Sequence, residues 1–77
     1  MVFLIEYDRK RGEIVTIQPF ADTQKLEADS MRLARELELN RSGIEHEIVI
    51  LDAENEEALR RTHRRYFESL EDFARAS

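Results

Sequence analysis

Two short runs, Val2-Phe3-Leu4-Ile5 and Ile48-Val49-Ile50-Leu51, are apolar at every position rather than at alternate ones. Successive side chains of a strand point to opposite faces of its sheet, so runs of this kind carry apolar groups on both. Val2 and Leu4 fall on one side of the first run, with Phe3, Ile5 and Tyr7 on the other. Ile48 and Ile50 oppose Val49 and Leu51 in the same way. A sheet containing both strands needs cover on two faces, which strongly limits what the rest of the chain can do.

The chain is short. Its 77 residues leave room for one domain, residues 1–77. A domain of this size buries only roughly 60–65% of its unfolded surface, and small domains often add disulfides, metals or a second subunit. Cysteine is absent, so disulfides are excluded, and two histidines cannot fill the usual tetrahedral zinc set. No cofactor is expected, and oligomerisation is the compensation left. A cysteine-free chain suits a reducing compartment, with the cytoplasm as the expected location. No apolar run approaches the roughly 20 residues of a membrane helix, and Met1–Ile5 lacks the basic leader of a signal peptide.

The order of elements follows from local signals. Val2–Tyr7 reads as a strand, Asp8–Gly12 as a turn and Glu13–Gln18 as a second strand ended by Pro19. Asp22 or Thr23 is placed to cap a first helix whose Leu26, Leu33 and Leu37 recur at helical spacing. Asn40-Arg41-Ser42-Gly43 stops that helix. His46–Leu51 is a third strand. Asn55 caps a second helix with Leu59, Tyr66, Leu70 and Phe73 on one stripe.

These elements give an α+β fold of order ββαβα, a two-layer sandwich with a three-stranded sheet. The β-α-β unit makes the third strand parallel to the second. The apolar first strand suits the centre, so the expected order is 2-1-3, with 1-2-3 as the rival. Thr16 and Gln18 mark the second strand as an edge. Both helices are expected on one face, with both leucine stripes turned to the sheet. The other face then needs a partner, with a second copy of the chain as the simplest one; the rival arrangement puts the second helix on that face and makes a three-layer monomer.

No catalytic site can be read. There is no nucleophile–base pair, no glycine-rich phosphate loop, and His46 between Glu45 and Glu47 does not converge with them on a metal. The element order resembles a trimmed ribonuclease H-like fold, with a strand missing and no metal-binding carboxylate constellation, and nothing is carried over from it. His63, beside the apolar stripe, reads as a core-edge residue. The candidate surfaces are charged or apolar. Arg60, Arg61, Arg64 and Arg65 form a band on the second helix, and Arg9, Lys10 and Arg11 make the hairpin tip basic, with Arg41 and Arg75 expected nearby. Such groups can grip phosphate or an acidic partner. Glu56, Glu57 and Glu68 stand four residues from Arg60, Arg61 and Arg64, so a neutralised helix face is the plainer reading.

The expected function is a non-catalytic protein-interaction module that self-associates as a homodimer through Val2, Leu4, Ile48 and Ile50. The alternative is a small nucleic-acid-binding or regulatory protein using the arginine band and the basic tip. The formal net charge of −5 weighs against general nucleic-acid binding.

Overall fold

A computed structural model describes residues 1–67. Its elements are β1 (Val2–Asp8), β2 (Glu13–Phe20), α1 (Lys25–Ser42), β3 (His46–Asp52), α2 (Glu56–Thr62) and α3 (Arg64–Phe67). Leu70, Phe73, Glu68 and Arg75 lie outside the described residues.

The described strands form a sheet of order β2-β1-β3, as expected, with β1 antiparallel to both neighbours. The hairpin turn closes because the Asp8 side chain accepts from the Lys10 and Arg11 amides, at 3.0 and 3.1 Å. Gly12 takes a φ of 66° there, which a side chain would resist. The β1–β2 register shifts between Glu6 and Tyr7, whose partners are Thr16 and Ile14. Val15 is the extra residue of this bulge and is exposed. β2 continues past Pro19 to Phe20, because an edge strand tolerates a residue with no amide to donate.

α1 on the sheet makes a helix-on-sheet α+β unit. The second helical segment does not share its face, a correction to the expected placement. Ala28 of α1 packs with Val2 and Phe20, with Leu4 and Ile50 beside them. Leu59 of α2 packs with Phe3 and Ile5, together with Ile14, Ile17, Val49, Leu51 and Phe67. These are the two opposite faces of β1 and β3. The doubly apolar strands thus gain cover on both sides within one chain, because the three residues Ala53–Asn55 between β3 and α2 carry the chain round the end of the sheet.

The single second helix expected from the sequence is broken at His63, whose φ of −120° and ψ of 48° leave the helical region. Immediately before it, the Thr62 hydroxyl donates to the Ala58 carbonyl at 2.6 Å, a bond that competes with the helical ladder. The break turns α3 so that the Tyr66 ring meets Tyr7 edge-on at 5.1 Å. Asn55 caps α2 as expected, accepting from the Ala58 amide at 2.8 Å. The expected Asp22 or Thr23 cap of α1 is not formed. A 3₁₀ turn over Asp22–Gln24 precedes the helix, and the Gln24 side chain accepts from the Ala21 amide at 3.0 Å. At the other end Gly43 adopts the left-handed conformation, φ 68°, and its amide binds the Asn40 carbonyl.

Candidate functional site

The rotation of α1 on the sheet differs from the expectation. Ala28 and Leu39 are buried and Arg35 points inward, whereas Leu26, Leu33 and Leu37 are 82%, 54% and 54% exposed. At about 100° per residue the three leucines lie on the side of the helix away from Ala28, Arg35 and Leu39. Their placement against the sheet is therefore corrected: the stripe faces outward.

A buried charge accounts for this rotation. Glu6 stands on central β1, on the α1 side of the sheet, with only 4% exposure. An isolated carboxylate there would be strongly destabilising. Arg35 answers it with a fork: its Nε donates to Oε1 at 2.7 Å and its Nη2 to Oε2 at 3.2 Å. From β3, the His46 ring Nδ1 lies 2.6 Å from Glu6 Oε2, and its Nε2 lies 3.6 Å from the Asp8 carboxylate. The Arg35 hydrogen bonds hold the Glu6 carboxyl below its usual range, against the opposing effect of burial and with further help from His46. The same contact raises the Arg35 pKa. Small Ala28 meanwhile lets the helix approach Val2 and Phe20 closely. Turning the leucines inward would withdraw Arg35 from Glu6.

The outward face has its own order. Leu26, Ser30, Leu33, Leu37 and Asn40 follow one another at spacings of four, three, four and three. This is the a/d spacing of a helix that packs on another helix. Along one flank run Glu27, Ala34 and Arg41, all exposed, and among the described residues neither charge forms an ion pair. Along the other flank stand Asp29 and Glu36. Arg32 Nη1 holds Glu36 at 3.0 Å.

The candidate surfaces read from the sequence fare differently. Val2, Leu4, Ile48 and Ile50, the expected self-association face, lie beneath α1: Val2 is buried and the other three are half-buried. This corrects the location of that surface, since α1 occupies the space a second sheet would need. On the arginine band, Arg60 lies 3.4 Å from Glu56 and over the Phe67 ring at 4.6 Å. Arg61 is 4.0 Å from Glu57, and Arg65 sits over the Tyr66 ring at 5.7 Å. Arg64 also interacts within the protein. At the hairpin tip Arg9 reaches Glu47 at 3.3 Å, Lys10 is 3.9 Å from Glu45, and Arg11 is 3.9 Å from Glu13. Arg60, Arg61 and the three hairpin cations each lie beside a carboxylate, and Arg9 and Arg65 line one cleft together with Tyr7, Glu47 and Tyr66. His63 is half-buried, as expected for a core-edge residue.

Glu47 joins the hairpin to α3, since it also accepts from the Tyr66 hydroxyl at 3.2 Å. Burial, followed by the Glu47 charge, pushes the Tyr66 pKa up. Among the described residues no group of three or more His, Cys, Asp or Glu could hold a metal ion, and no helix is long and apolar enough to cross a membrane.

Sequence reasoning missed Glu6, Arg35 and His46. A signal was available: Glu6 continues the Val2, Leu4 side of a strand destined for the centre, so it needed a cationic partner from another element. No protein-family model, curated protein or solved structure matches the chain.

Proposed function

We propose that this protein is a non-catalytic interaction module that self-associates, and that the outer face of α1 is the surface it uses. The observation that carries the reading is the outward stripe of Leu26, Leu33 and Leu37. Leucines scattered singly over a surface need no explanation, but three on one helical line, interrupted only by Ser30, form an apolar strip. A helix with a/d spacing is self-complementary, because the strip of one copy fits that of another. The lack of cysteine, which leaves no disulfide to brace the domain, favours the same reading. A cytoplasmic location, suited to a cysteine-free chain, belongs to this proposal.

Sedimentation equilibrium from about 1 to 200 µM tests it. The expected result is a monomer–dimer equilibrium with a dissociation constant on the order of 10 µM, the weak end for a small interface. Leu33→Lys with Leu37→Lys should leave the fold intact and the chain monomeric throughout. A wild-type chain that stays monomeric at 200 µM, or a double-lysine variant that dimerises as before, would overturn the reading.

A further inference from the structure

The outer face of α1 also carries charges that orient a second copy. We infer that two chains pair through antiparallel α1 helices, with Leu33 of each against Leu37 of the other and Glu27 of each beside Arg41 of the other. This rests on the self-association proposed above and adds its geometry.

The positions of the charges set the register. Glu27 lies in the first turn of α1, Arg41 in the last, and both stand on the same flank of the leucine strip, with Ala34 midway between them. A two-fold axis crossing the helix near Arg35 brings residue 27 of one copy level with the region of residue 41 of the other. The small Ala34 sits where the two flanks approach most closely. The same axis sets Leu33 against Leu37 in the two central layers and Ser30 against Asn40 in the layers outside them. Leu26 then extends over the C-terminal end of the partner helix, where Ile44 is 45% exposed. The opposite flank brings the two Glu36 side chains together, and each is already held by its own Arg32 at 3.0 Å.

Two other arrangements fit less well. Shifting the antiparallel pair by one heptad, so that Leu26 meets Leu37, sets Asp29 of one chain beside Glu36 of the other. A parallel pair sets Ser30 on Ser30 and Asn40 on Asn40, places both Glu27 side chains at one end, and aligns the two helix dipoles. Acids first and bases last also suit the dipole of a single helix, so charge placement needs a test that separates the two causes.

That test uses cysteines, since the chain has none of its own. Ser30→Cys and Asn40→Cys are exposed substitutions that should not disturb the fold. Under mild oxidation at 100 µM, a mixture of the two variants should yield the mixed disulfide, and Ser30→Cys alone should cross-link at least tenfold more slowly. In parallel, Glu27→Arg or Arg41→Glu alone should weaken dimerisation about tenfold, because two exposed pairs turn repulsive in each dimer. Both changes in one chain should restore it to within threefold, a rescue that dipole effects on the single helix cannot produce. Rapid self-cross-linking by Ser30→Cys, or a charge-swapped double variant as weak as the singles, would overturn the antiparallel register. If the wild type still sediments as a dimer in that case, self-association stands and only the orientation falls. A monomeric wild type removes both.

Discussion

α1 and α2 put their leucines to opposite uses. Leu59 of α2 is fully buried between Phe3 and Ile5, whereas Leu26, Leu33 and Leu37 of α1 point to solvent. The difference lies in what each helix meets. The sheet face under α2 is apolar from Phe3 to Val49, so hydrophobic burial alone decides how the helix turns. The face under α1 carries Glu6, and a buried carboxylate without its partner is worse than a few exposed leucines. One polar residue on a central strand is therefore enough to reverse the orientation that periodicity suggests.

The two helices differ most at Leu59. Leu59→Ala should cost about 4 kcal/mol in chemical denaturation, through lost transfer energy and a cavity between β1 and α2. A loss below about 1 kcal/mol would mean that α2 does not anchor that face.

Next in size is Glu6. Glu6→Ala should cost about 3 kcal/mol, because Arg35 and His46 lose the carboxylate that ties α1 and β3 to β1. The effect also has a pH signature. The Glu6 pKa in the folded state lies below its ordinary 4.5, so its contribution is complete above that pH. It is lost as pH falls through the lower folded-state value, where the unfolded chain has already taken up its proton. Glu6→Gln should flatten this part of the acid unfolding profile. An unchanged profile would show that the cluster does not hold α1.

The smallest effect belongs to the outward stripe. Leu33→Ala should change monomer stability by less than about 0.5 kcal/mol when measured well below the dimerisation range. A loss of 2 kcal/mol or more, comparable to a core deletion, would turn the helix around and remove the proposed interface.

Much of the architecture was legible in local pattern. The α+β class, the three strands, the central place of β1, the turn at Gly12, the stop at Gly43 and the cap at Asn55 all rest on short-range chemistry: alternation, capping and the freedom of glycine. The apolar runs on both sides of β1 and β3 correctly demanded two covered faces. The candidate interaction surface was legible only as a leucine stripe assigned to the core. An apolar line on a helix has the same spacing whether it faces its own sheet or another chain.

What tertiary structure alone decided was which side of each element faces which neighbour. The choice to cover the second face with α2 rather than with another subunit depended on the chain crossing under the sheet after β3, a matter of path and not of periodicity. The rotation of α1 depended on Glu6, Arg35 and His46, which are separated by 29 and 40 residues along the chain. Local sequence fixes backbone habit because its interactions span a few residues. The cost of an unpaired buried charge, by contrast, exists only once distant segments have met, and here it outweighed the burial of three leucines and left them facing solvent.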